Sequence, residues 1–233
     1  MSDALAFLST GATVATSPLA AAAAAAGATF EARDGWEVAV RFADPGVERL
    51  ACEQTVGWAD ASHLRTWELQ GTAAALDALD PLPALGDGLA ARDGDGAWWC
   101  RATPGRALVL GGAGAPPVAG AQRGVHVLDV TAQLGALRIA GPLARELFAR
   151  FCALDLRPHV APPRAFRPGS VARTPGYVVC EAPDRYLVLF GAAYGEYLWE
   201  VVADAGTYLG GRPVGIDAMD ALAAAAQEEP TRA

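Results

Sequence analysis

DASHLRTWELQG, residues 60–71, and DVTAQLGALRIAG, residues 129–141, each open on aspartate and run through apolar positions to a closing glycine. A second pair follows in the same order: WWCRATPGRALVLGG begins at Trp98 and YVVCEAPDRYLVLFG at Tyr177. Each set reads as a strand ending in Gly, a variable middle, and a hairpin whose second strand is A-L-V-L or Y-L-V-L. The hairpin turns, Thr103-Pro104-Gly105 and Ala182-Pro183-Asp184, have sound turn chemistry: proline presets φ, and Gly or Asp tolerates the tight bend. Two blocks recurring in one order predict an internal duplication. Its halves are residues 17–111 and 125–222, joined by a Gly- and Pro-rich linker at 112–124 within GGAGAPPVAGAQRG. The second copy is longer by roughly the Pro-rich insert HVAPPRAFRPGS from His159.

Outward from these blocks, residues 1–16 show no period and read as a loose N-terminal arm. Ser17-Pro18-Leu19 opens a helix, with Ser17 as cap, Pro18 in the first turn and Gly27 as the stop. Trp36, Val38, Val40 and Phe42 alternate as a strand with one buried face does. Val47–Val56 reads as a short helix. In the second half Gly141-Pro142 opens an amphipathic helix with Leu143, Leu147 and Phe151 on one face and Arg145, Glu146 and Arg150 off it. After the second hairpin, Tyr194, Tyr197, Leu198, Val201 and Val202 form a stripe that Gly206 is expected to end. A last helix from about Asp217 frays into a charged tail at 223–233. Strand, helix, hairpin, helix is a split α+β unit, so the fold class is α+β with that unit duplicated.

The chain has 233 residues, 52% of them hydrophobic and 19% charged, which is globular composition. A net charge of -8 repels phosphate backbones, and there is no basic patch, so nucleic acid is excluded as a partner. All 18 basic residues are Arg; without Lys the chain can form no Schiff base and supply no Walker lysine. No apolar run reaches the roughly 18 residues of a membrane span. The first basic residue is Arg33, so no positive segment precedes the early apolar stretch as a secretory leader requires, and a cytoplasmic location is expected. Cys52, Cys100, Cys152 and Cys180 form no C-x-x-C pair and read as small buried apolar groups.

Local motifs for catalysis are scarce. Gly112-Ala113-Gly114 lacks the third glycine of a dinucleotide loop, and Pro116-Pro117 stands where its helix should start. No Ser lies in G-x-S-x-G, and His63, His126 and His159 are too scattered for a zinc motif. Asp60 and His63 are the best polar candidates, either as ligand contacts at a strand end or as a turn carboxylate beside a half-buried imidazole; the latter is the more economical reading. Trp36, Trp58, Trp67, Trp98, Trp99 and Trp199 either line a pocket for a flat ligand or, more commonly, build core and interface.

Several segments carry a family likeness. Ser17-Pro18-Leu19, Gly35-Trp36-Glu37, Arg41, and Val56-Gly57 followed by Asp60 and Ser62-His63-Leu64 resemble the opening of glycine-cleavage T-proteins. Gly141-Pro142 with Ala144-Arg145 and Leu147, then Leu154-Asp155-Leu156, the Pro-rich stretch, Asp184-Arg185-Tyr186-Leu187-Val188-Leu189 and Tyr197-Leu198-Trp199 resemble the gamma subunit of heterotetrameric sarcosine oxidase. The resemblance implies the T-protein folate-binding fold and a channel for tetrahydrofolate lined by Trp36, Asp60, His63, Arg185 and Tyr194. It also implies a departure. Where the family places its catalytic aspartate the chain reads VARTPGYVVC, residues 171–180, without an acid; the family's asparagine after the hairpin is replaced by Gly191-Ala192-Ala193. The expectation is therefore a non-catalytic gamma-type subunit that partners larger flavin-binding oxidase chains and holds no cofactor firmly. The complex would demethylate an N-methyl amino acid and pass the one-carbon unit to tetrahydrofolate. The alternative is a stand-alone folate-binding one-carbon transferase. An iron–sulfur assembly factor of the same fold would need a lysine motif this chain cannot supply.

Overall fold

The structure, a computed structural model, describes residues 14–80, 82, 85–112 and 124–228. The chain order is β1 (Ala15–Thr16), α1 (Ala20–Ala25), β2 (Thr29–Arg33), β3 (Trp36–Arg41), α2 (Pro45–Gln54), β4 (Gly57–Asp60), β5 (Thr66–Gly71), α3 (Ala73–Asp77), β6 (Ala90–Arg92), β7 (Trp98–Thr103) and β8 (Arg106–Leu110). Then come β9 (Val125–Asp129), β10 (Leu134–Ala140), α4 (Ala144–Ala149), β11 (Phe166–Val171), β12 (Thr174–Ala182), β13 (Arg185–Gly191), α5 (Gly195–Tyr208), β14 (Arg212–Pro213) and α6 (Ile216–Glu228). The mixed helix and strand content is α+β, as expected.

Two large sheets run in the same order. One is β6-β7-β8-β5-β9; the other is β11-β12-β13-β10-β4, with β14 added at the β4 edge. A small sheet, β1-β3-β2, stands apart. The order contains an exchange. β4 precedes β5 in the chain yet pairs antiparallel with β10, Trp58 opposite Ile139. β9 precedes β10 yet pairs with β5, Asp129 opposite Trp67. The second strands of the two hairpins, β8 and β13, meet β5 and β10 in matching register: Gln70 opposes Arg106 and Glu68 opposes Leu108, while Ala140 opposes Arg185 and Arg138 opposes Leu187. Both hairpins, β7–β8 and β12–β13, carry a bulge one step before the turn, between Arg101 and Thr103 and between Cys180 and Ala182.

Strand alternation sorts side chains into three layers. In β13, Tyr186, Val188 and Phe190 pack with Trp58, Leu198 and Val202 under α4 and α5. Leu187 and Leu189 face the other way and meet Cys100, Leu108 and Leu110 between the two sheets. Ala107 and Val109 of β8 face outward onto Leu76 of α3. A-L-V-L and Y-L-V-L are continuously apolar because both faces of these strands are buried.

Several local expectations shift. Ala15 and Thr16 pair in parallel with Trp36 and Glu37, so the expected loose arm is ordered at its end; residues 1–13 lie outside the described residues. Ser17 does not cap α1: the helix starts at Ala20 with Leu19 at its N-cap and no side-chain cap bond, and Ser17 Oγ accepts from Leu19 N at 3.0 Å in the turn before it, while Gly27 takes φ +90° just past the helix. Val38, Ala39 and Val40 are all buried, so β3 hides both faces at its centre: Val38 and Val40 pack with Ile216 and Met219 of α6, and Ala39, on the side that alternation assigned to solvent, joins the cluster of Leu19, Ala23 and Leu198. α2 starts earlier than Val47, because Asp44 caps it by accepting from Gly46 N at 2.9 Å and Pro45 suits the first turn. Gly206 does not end α5. It lies inside the helix, where a Cβ would sit 2.3 Å from Trp58 Cζ3; Gly210, with φ +75°, follows the true end. On the expected stripe, Tyr194 and Tyr197 are exposed, and Trp199 and Ala205 are buried in their stead. α6 runs on to Glu228, through what was read as tail. Most of the linker, residues 113–123, falls outside the described residues. Cys52, Cys100 and Cys180 are buried and Cys152 half-buried, all as free thiols. No described helix is long and apolar enough to cross a membrane.

Candidate ligand site

A cavity of about 820 Å³ opens where β4 and β9 leave their exchanged sheets. Trp36 at the start of β3, His63 and Arg65 after β4, and Asp129 and Thr131 at the end of β9 line it, with Gly111 and Gly112 closing one side. Both glycines take positive φ, +83° and +94°, a conformation open to glycine at no steric cost.

Its polar groups are set by two matching turns. Asp60 accepts from Ser62 N at 2.9 Å, and Asp129 from Thr131 N at 3.0 Å. Asp60 is 3% exposed and serves its own turn, the structural role weighed in the sequence. Asp129 is held below the usual carboxylate range: burial alone would raise it, but the hydrogen bonds from Thr131 and the charge of Arg65 prevail. His63 titrates below its ordinary value. Burial is the main cause, Arg138 and Arg33 add to it, and Asp60 and Asp220 oppose it. At neutral pH the cavity therefore offers a neutral imidazole, an ionised carboxylate, a guanidinium and an indole face: groups that bind and orient.

The five residues expected to line one channel do not converge. Trp36 and His63 share the large cavity, with Asp60 buried behind them. Arg185, at the start of β13, lines a second cavity of about 150 Å³ beneath α6, together with Trp98, Arg138 and Glu181. Tyr194 is 45% exposed on a 3₁₀ turn after β13 and lines neither cavity. Sequence reasoning passed over Arg138 and Glu181. Glu181 lies one residue beyond the acid-free stretch 171–180 and accepts from Trp98 Nε1 at 3.0 Å. The signal was available: Arg138 and Glu181 both interrupt apolar strands whose other inward positions are filled by Ala136, Ala140 and Val179.

No family model and no curated protein matches the chain by sequence. Solved structures do match by shape. Glycine cleavage system aminomethyltransferase T from Bartonella henselae aligns over 88% of this chain with a TM-score of 0.69 and 17% identity. The fold is that of aminomethyltransferase T. The chain spans 60% of the length of that enzyme. A chain of the heterotetrameric sarcosine oxidase from Corynebacterium sp. U-96, in complex with pyrrole 2-carboxylate, aligns at TM-score 0.60 and 20% identity. The alignment covers 71% of this chain and 92% of that one, so the matched oxidase chain is the shorter of the two.

Proposed function

We propose that this protein is a non-catalytic gamma-type subunit of a sarcosine oxidase-like complex, which demethylates an N-methyl amino acid oxidatively and passes the one-carbon unit to tetrahydrofolate. The supporting observation is the shape match to nearly the whole of a short chain of a heterotetrameric oxidase. The absence of an acid from residues 171–180 agrees with a subunit that does no chemistry of its own. The larger partners carry the flavin, and the assembly is cytoplasmic. We read residues 17–111 and 125–222 as two copies of one strand-helix-hairpin unit, a reading that the shared strand order, hairpin registers and bulge positions support. Co-expression with the flavin-binding chains of such an oxidase tests the proposal. Co-purification at a fixed ratio with flavin absorbance is expected; a monomer that elutes free of those chains overturns it.

The large cavity favours a second reading, a stand-alone folate-binding one-carbon transferase. Its volume lies within the 300–1,000 Å³ typical of small-molecule sites. Trp36 would stack on a pterin while His63 and Asp129 hold its polar edge. Calorimetric titration of the isolated chain with tetrahydrofolate decides: saturable heat lost in Trp36→Ala supports this reading, and no heat at about millimolar ligand removes it.

A further inference from the structure

The strand pairs β5–β8 and β10–β13 share one register but not one charge pattern. In the first, Glu68 and Arg106 occupy diagonal positions on the face between the sheets, and they close on each other: Arg106 Nε donates to Glu68 Oε1 at 2.8 Å and Nη2 to Oε2 at 2.7 Å. The same two positions in the second pair hold Arg138 and Arg185. Two guanidiniums stand where the first pair has an acid and a base.

Nothing among the described residues fully answers them. Two arginines carry ten N–H donors. Here each side chain makes one hydrogen bond, Arg138 Nη1 to Asp220 Oδ1 at 2.8 Å and Arg185 Nη1 to the Leu222 carbonyl at 2.9 Å. The Nε of both is shut off from solvent without an acceptor. Glu181 is engaged by Trp98 Nε1, and its nearer approach to Arg138, at 3.7 Å, is an ion pair without a hydrogen bond. Arg92 adds a third guanidinium, stacked over Trp98 at 5.1 Å. Among the described residues, the carboxylates paired with these guanidiniums are Glu181 and Asp220, both against Arg138, which leaves an excess of one positive charge in a chain whose net charge is -8. Half-buried guanidiniums with open donors are costly, and they are built for a planar anion that accepts two parallel hydrogen bonds.

We infer that the cavity beneath α6 is a binding site for a small monocarboxylate, whose carboxyl group bridges Arg138 and Arg185 as Glu68 engages Arg106 across β5 and β8. Charge selects a monoanion, since one negative charge neutralises the cluster and a phosphate dianion overshoots. Size selects a small one: 150 Å³ is about five water volumes. Trp98 supplies a flat wall for the carbon skeleton. Met219 and Ala223 of α6 form the roof of a cavity that is open to solvent.

The test is calorimetry and thermal shift on the full chain with acetate and propionate, and with inorganic phosphate for comparison. Saturable binding and a raised melting temperature are expected for the monocarboxylates, weakened about tenfold or more in Arg138→Gln and in Arg185→Gln. Ala223→Leu fills the cavity from α6 without touching either arginine and is expected to abolish binding in a folded chain, which circular dichroism confirms. Tetrahydrofolate, whose tail carries carboxylates, is titrated in parallel: competition with acetate assigns the site to the tail of a larger ligand, and independence assigns it to free carboxylates. Phosphate binding as tightly as acetate, binding retained in Ala223→Leu, or no saturable signal from any monocarboxylate each overturns the inference.

Discussion

Thr131 Oγ1 accepts the backbone N–H of Thr66 at 2.9 Å, and Ser62 Oγ accepts that of Ala136 at 3.0 Å. Each hydroxyl follows an aspartate by two residues, in turns that Asp129 and Asp60 brace, and each serves the other half of the chain. Together they pin the exchange of β4 and β9. All four groups are in the interior, so removing a hydroxyl strands a buried N–H. Thr131→Val and Ser62→Ala are each expected to cost about 1–3 kcal/mol in urea unfolding. Because both hydroxyls serve one crossing, the double mutant is expected to depart from additivity by at least about 0.5 kcal/mol. Additive losses would show that the two crossings are independent.

Gly206 of α5 and Trp58 of β4 meet so closely that a methyl group has no room. Gly206→Ala gains helix propensity of about 1 kcal/mol but forces the buried indole or the helix to move, so a net loss of about 1–3 kcal/mol is expected. For a chain of this size that lowers Tm by several degrees, about 2–4 °C per kcal/mol. Differential scanning calorimetry measures it; an unchanged or raised Tm would mean that α5 packs more loosely than described.

The Glu68–Arg106 pair makes stability acid-sensitive. Burial pushes the Glu68 carboxyl up, but hydrogen bonds from Arg106 and Gln70 outweigh that and hold it below its ordinary value of 4.5. A depressed carboxylate contributes stability that is complete above the unfolded value and is lost as pH falls through the folded one. The native chain is expected to lose stability below about pH 4.5, and Glu68→Gln to show a shallower loss there while being about 1–3 kcal/mol weaker at pH 7. Urea midpoints across pH 3–7 give the comparison.

His63 acts over a higher window. Its folded-state value lies below 6.5, chiefly through burial, so the unfolded chain binds the proton more readily. Stability from this group is complete above pH 6.5 and declines as pH falls below it toward the folded value. His63→Gln is expected to flatten the fall in Tm between pH 7 and 5, and an NMR titration of the imidazole reads the shift directly. A midpoint above 6.5 would contradict the buried, cation-flanked setting.

Turn chemistry and apolar faces are local properties, and the chain alone determined them. The two hairpins with their proline-containing turns and the glycine just past α1 were legible, whereas of the apolar face read for α4 only Leu147 is fully buried, with Phe148 taking the place of the half-buried Leu143 and Phe151. Some local signals were readable but passed over: Asp34-Gly35, both with positive φ, forms the tight β2–β3 turn that an Asp-Gly pair favours. Others had no signal. β11 and β12 turn on Ala172-Arg173, also both at positive φ, where no glycine, asparagine or aspartate announces the bend; packing holds it, with Ala172 buried and its carbonyl bonded by Tyr197. Only the tertiary structure decided which sheet β4 and β9 join, that α6 roofs the space between the sheets, and that Arg138 faces Arg185. Those are pairings between residues tens of positions apart. No propensity or period encodes them, because their free energy arises only when the separate apolar faces find one another and exclude water.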